Sequence, residues 1–97
     1  MRQLLFSALA QSDIADIWQY TEQTWGPVQA GTYNRLIEGA CLSLADGTQP
    51  GLSAEYIRSG YRKLPVGKHM IYFRTNETTI DVVRILHQRM DVEEHLA

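Results

Sequence analysis

The chain reads as an α+β domain: one N-terminal strand, a hairpin of two helices, a meander of three to four antiparallel strands, and a short closing helical turn. Three observations lead there. Between Ser7 and about residue 45 the apolar residues recur at spacings of three and four, the period of a helix face. After the turn-rich DGTQPG, residues 46–51, the period falls to two. And 97 residues, 44% apolar and 21% charged, suffice for one small core, so residues 1–97 form a single domain.

QLLF, residues 3–6, suits a first strand, and Ser7 is placed to cap a helix running to about Thr24. The predicted buried stripe of that helix is Ala10, Ile14, Ile17, Trp18 and Thr21, followed by Trp25, with Asp13, Asp16 and Glu22 facing outward. Gly26-Pro27 ends it, since Gly permits the turn and Pro is tolerated at the first position of the next helix. The second helix reaches about Ala45, with Tyr33, Ile37, Ala40, Cys41 and Leu44 inward. Beyond the loop, Glu55–Arg58 and Tyr61–Leu64 read as short strands, with Pro65–Lys68 as a turn because Pro is excluded from interior ladder positions. Lys68–Thr75 alternates, His69, Ile71 and Phe73 against Met70, Tyr72 and Arg74. Asn76 and Glu77 turn the chain into a last long strand, Thr79–Gln88. Asp91 and Glu94 have capping-box spacing, which predicts a helical turn over Val92–Leu96.

Charge is unevenly spread. Residues 1–55 carry two basic and six acidic side chains; residues 56–90 carry seven basic and two acidic ones; residues 91–97 add three acids. An acidic helical half and a basic sheet half would result, able to steer an anionic partner or simply to solvate exposed strands. One cysteine, Cys41, excludes an internal disulfide and a cysteine zinc site and fits a reducing compartment. The scattered histidines show no metal spacing, no Gly-rich phosphate loop precedes a helix, and no cofactor is implied. No apolar run approaches a membrane span, and MRQLLFSALAQSD turns polar too early for a signal peptide; the expectation is a cytoplasmic protein.

Several short strings occur in a telling order. They are the Ala10–Asp13–Ile17–Tyr20 spacing, Trp25-Gly26 with Gln29-Ala30 and Tyr33, Gly60-Tyr61-Arg62, Gly67-Lys68-His69, Ile71-Tyr72-Phe73-Arg74, and above all Val83-Arg84-Ile85-Leu86-His87-Gln88-Arg89-Met90-Asp91, with His95-Leu96 at the end. Together they resemble the ParE branch of the RelE/ParE toxin superfamily over essentially the whole chain. The resemblance implies the RelE/ParE-like fold and a toxin of a bacterial toxin–antitoxin pair. It would poison DNA gyrase, block replication, and be neutralised by a ParD-like antitoxin in a higher-order complex. The sister RelE-like branch shares the fold and cuts messenger RNA in the ribosome.

Cutting RNA through its 2'-hydroxyl needs proton-transfer groups and cations for the phosphorane. The fallback catalytic candidates are Arg62, Arg84, His87 and Arg89. A period of two places Arg84 with Val82 and Leu86 on one face of the last strand, and His87 and Arg89 with Val83 and Ile85 on the other, which counts against one compact site unless a bulge intervenes. The acidic tail would repel a phosphate backbone, and a terminal Tyr is absent. No catalytic residue is therefore assigned, and neither a small-molecule substrate nor direct nucleic-acid binding is expected. His87 and His69 also read as scaffold, and Arg62 and Arg84 as ion-pair partners of Asp81 or Glu77. As a binding toxin, the chain would meet its target through Arg62, Arg74, His87 and Arg89. Two helices on a small sheet would leave the sheet's reverse face to a partner, and the antitoxin candidates are Trp18, Tyr20, Trp25, Tyr33, Met70 and Tyr72.

Overall fold

The computed structural model describes residues 1–96. The element order is β1 (Gln3–Phe6), α1 (Ala8–Trp25), α2 (Pro27–Ala45), β2 (Leu52–Ser53), β3 (Arg62–Val66), β4 (His69–Thr75), β5 (Thr79–His87) and α3 (Val92–Leu96). Ser7 caps α1 as expected, its hydroxyl accepting from the Ala10 N–H. Gly26 joins the helices at φ +94°, a conformation costly for any side chain, and Pro27 opens α2. The five strands form one mixed sheet in the order β1-β5-β4-β3-β2. β2 through β5 make the antiparallel meander, and β1 returns beside β5 in parallel.

Two strand boundaries differ from expectation. Glu55–Arg58 is a turn, and the short strand before β3 is Leu52–Ser53. Pro65 lies inside β3, opposite Met70, and the turn is only Gly67-Lys68. The reason is positional. β2 pairs only with Arg62 and Lys63, so the outer side of Pro65 is a free edge where a missing N–H costs no ladder bond.

The main core lies between the helix hairpin and the sheet. Ala10, Ile37, Cys41 and Leu44 pack on Ile71, Phe73, Ile80, Val82 and Ile85. β5 carries a bulge: Tyr72 faces Arg84 while Phe73 faces Val82, so Val83 is extra. The bulge overturns the simple alternation. Val82 joins Ile85 in the helix-side core, and Val83 joins Leu86 on the reverse face.

That reverse face is not left open. Ala54, Tyr61 and Leu96 cover Tyr72 and Leu86, with Ile57, Met70, Val83 and Val92 around them. The loop before β3 and α3 thus supply the layer that the sequence pattern leaves to a partner. Asp91 caps α3 through the Glu93 N–H. On α1 the stripe narrows: Ala10 and Thr21 are buried, Ile14 and Ile17 partly so, but Trp18 is 38% and Trp25 69% exposed.

Candidate functional site

The residues of the VRILHQR string divide between two places. The first is the edge of β5. β1 ends at Phe6, opposite Val82, so beyond that point β5 has no strand neighbour on this side. Side chains from the start of α1 take over the bonding. The Ser7 hydroxyl donates to the Val83 carbonyl at 2.6 Å, and Asp13 Oδ2 accepts from the Ile85 N–H at 3.0 Å. The same carboxylate receives Arg84 in a two-pronged pair, Nε to Oδ2 and Nη2 to Oδ1, both at 2.8 Å. Arg84 Nη1 also donates to the His95 carbonyl at 3.2 Å. Asp13 is therefore turned inward, not outward as its helix position suggested, and it is the partner of Arg84 in place of Asp81 or Glu77. The bonded carboxylate pushes the Arg84 pKa up, against the opposing effect of burial.

The second place is the far end of the sheet, where β3 turns into β4 and β5 ends. His69 and His87 face each other across the strands with ring centroids 5.3 Å apart, and the Tyr33 ring lies 5.4 Å from His69. The Tyr33 hydroxyl accepts from the Lys68 N–H at 3.0 Å, so its proton points to His69 Nδ1. His87 Nδ1 accepts from the Arg89 N–H at 3.1 Å, and Gln88 Nε2 donates to the Gly67 and His69 carbonyls. Burial lowers the His69 pKa, His87 adds to the effect, and Asp13 opposes it, so the neutral ring is favoured over the charged one. A side chain at Gly67 would sit 2.7 Å from Tyr33, which requires glycine there. Tyr33 was expected on the antitoxin surface; both hydrogen-bonding roles of its hydroxyl are instead taken up in this turn. A sequence signal for it did exist, in the Tyr33 and Gly67-Lys68-His69 strings, but nothing in their spacing showed that they meet.

The other candidates do not gather around either place. Arg62 spends its guanidinium on the Pro50 and Gly51 carbonyls, and it sits at the end of the sheet opposite His69 and His87. Arg74 and Arg89 are exposed at opposite ends of the β4–β5 pair. Tyr72, at 3% exposure, and the half-buried Met70 belong to the reverse-face cluster and cannot anchor a partner as they stand. Tyr20 and Trp25 are open, beside the partly open Trp18. Among the described residues no group of three or more His, Cys, Asp or Glu side chains is placed to hold a metal ion, and no helix is long and apolar enough to cross a membrane.

Comparison with known proteins fits this arrangement. The family model described as ParE toxin of type II toxin–antitoxin system matches residues 4–92. The chain belongs to the ParE toxin family. Toxin ParE1 of Mycobacterium tuberculosis is 45% identical over 93 residues, covering 95% of each chain. Toxin ParE1 of Caulobacter vibrioides is 34% identical over 96 residues, covering 99% of each. Among solved structures, a chain from the chromosomal ParDE system of P. aeruginosa superimposes with a TM-score of 0.76 at 21% identity, over 90% of this chain and 96% of that one. A YafQ mutant from E. coli gives 0.55 at 12% identity, over 91% and 94%, a likeness of fold alone. The ParE fold is thus present along the described chain, with a mixed five-stranded sheet and the terminal helical turn.

Proposed function

We propose that this ParE-family toxin binds and poisons DNA gyrase in the cytoplasm, blocking replication, and that a ParD-like antitoxin neutralises it. The ParE match over residues 4–92 supports this reading best. The site geometry adds support for inhibition by binding without bond cleavage. Arg84, the cation at the centre of the family string, is tied to Asp13 and His95 and has little left to give to a phosphate. Target contact falls to the exposed Arg89 beside His87, with Arg74 exposed at the other end of the β4–β5 pair; Arg62 is less available because its Nε and Nη2 are bonded to the Pro50 and Gly51 carbonyls. Antitoxin contact falls to Trp18, Tyr20 and Trp25. The test is supercoiling by purified gyrase with toxin, alone and with its antitoxin. Supercoiling should be inhibited and then restored; supercoiling unaffected by excess toxin would overturn the reading. Calorimetry of the toxin–antitoxin pair should give binding tighter than about micromolar.

One observation favours a second reading, the ribosome-dependent messenger RNA endonuclease. The meander brings His69 and His87 together, and paired imidazoles are suited to acid–base chemistry. Against it, Nδ1 of each ring is already bonded within the turn. A ribosome cleavage assay decides: cut messenger that disappears with His69→Ala or His87→Ala would install this reading in place of the first.

A further inference from the structure

The helix hairpin leaves a cleft of about 280 Å³ over β1, the last strand of the sheet. Leu4, Phe6 and Ile14 line it as partly covered side chains, and Ile37 and Cys41 of the core form its buried wall. The polar lining consists of Asn34 and Glu38, one turn apart on α2. Glu38 carries the only charge on that lining, and among the described residues the only ion pair is Arg84–Asp13. Its carboxylate therefore stands over an apolar cleft without a cation. Burial and then this carboxylate push the Cys41 thiol up to about 11, so the thiol is neutral and adds no competing charge.

Size and backbone exclude larger occupants. An apolar cavity of about 150 Å³ takes a benzene molecule, so this cleft has room for one aromatic ring with a short arm and none for a helix. An added strand is refused at both ends of β1. The Ala45 carbonyl already accepts the Arg2 N–H, and the Gln11 side chain donates to the Phe6 carbonyl. Charge then selects among small molecules. A carboxylate beside apolar walls attracts an ammonium and repels an acid, and residues 1–55, with two basic and six acidic side chains, add to that field. Asn34 offers an amide oxygen one turn away for a second bond to the same ammonium.

We propose that this cleft is a binding site for a small arylalkylamine, its ring seated on Leu4, Phe6, Ile14 and Cys41 and its ammonium held by Glu38. None of these residues carries the toxin reading above, so the site stands or falls apart from it. The test is a titration of the nitrogen-15-labelled full chain with phenethylamine, followed by two-dimensional NMR. Amide shifts should saturate with a Kd of about 1 mM and be largest at Leu4, Phe6, Ile37 and Cys41. Phenylethanol, of the same size without the charge, should bind about threefold more weakly, and phenylpropionate more weakly still. Glu38→Gln should bring amine and alcohol level. Cys41→Phe fills the cleft and should abolish the shifts. Asn34→Phe covers it from a half-buried helical position and should do the same even where the core variant fails to fold. No saturable shift at about 10 mM amine, or equal affinity of the parent for amine and acid, overturns the proposal. So does a folded Cys41→Phe or Asn34→Phe variant that keeps the parent affinity. Displacement of the amine by one equivalent of a ParD-like antitoxin also overturns it, for the cleft is then part of a protein interface.

Discussion

The two faces of the sheet are closed by different means. On one, two long helices lay Ala10, Ile37, Cys41 and Leu44 across Ile71, Phe73, Ile80, Val82 and Ile85. On the other, a loop and a five-residue helix lay Ala54, Tyr61 and Leu96 over Tyr72 and Leu86. The first face shares its burial among many side chains. The second depends on a few, and one of them lies in the short helix α3. Arg84 joins them, since its guanidinium bonds both Asp13 of α1 and the His95 carbonyl of α3. In a fold this small, one strand therefore organises both layers, and a functional-looking arginine serves as the tie.

The contrast can be tested by removing one residue from each layer. Phe73→Ala should cost about 3–5 kcal/mol, read as a lowered urea midpoint, because Phe73 is fully buried between helices and sheet. Arg84→Ala should cost about 2–3 kcal/mol. That is below the cost of breaking a fully buried pair, because the two side chains keep 14% and 11% of their exposure. It should also speed amide exchange in α3 and at Ile85 together, and a cycle with Asp13→Asn should show coupling above about 0.5 kcal/mol. Leu96→Ala should cost about 2 kcal/mol, the low end for a buried leucine, since a five-residue helix can settle into the gap. A loss at Leu96 equal to that at Phe73 would erase the distinction between the faces.

Much of this architecture was legible in the sequence because it follows from period and punctuation. Ser7, Gly26-Pro27 and the inward residues of α2 read correctly from capping and spacing alone. The site was less legible, for three physical reasons. A bulge at Val83 is a one-residue slip that leaves no mark on composition, yet it exchanges the faces of Val82 and Val83. The inward turn of Asp13 depends on β1 being too short to pair β5 past Val82, which only the three-dimensional register reveals. And the cover of the reverse face comes from Ala54, Tyr61 and Leu96, small or isolated residues in segments with no periodic signal. Trp18 and Trp25 fit the apolar stripe by spacing, but they sit at its margin, where the hairpin leaves them open.

The smallest effect separates the faces by pH. His69, at the rim of the helix-side layer, has a pKa lowered first by burial and then by the facing His87, with Asp13 pulling the other way; Tyr33 is its hydrogen-bond partner. The neutral ring is favoured in the folded state, so below its ordinary value of 6.5 the unfolded chain binds the extra proton. The stabilisation is complete above that value and is lost as pH falls through the depressed one. Asp46 cannot account for a loss in this window, because the Thr48 bonds that lower its pKa confine its contribution to pH near and below 3.8. The shifted groups elsewhere act at the alkaline end. Cys41 is pushed up to about 11 by burial and then by Glu38, so its stabilisation is present below 9.0 and lost as pH rises through that higher value. Tyr72, on the reverse face, is raised by burial and then by Tyr56. Melting temperatures between about pH 5 and 8 should therefore fall by a few degrees toward the acid side. His69→Gln should flatten that slope, since its carbonyl can still accept from the Tyr33 hydroxyl, while Tyr72→Phe should leave the slope intact. An acid slope that survives His69→Gln would place the pH-sensitive contact somewhere other than the helix-side rim.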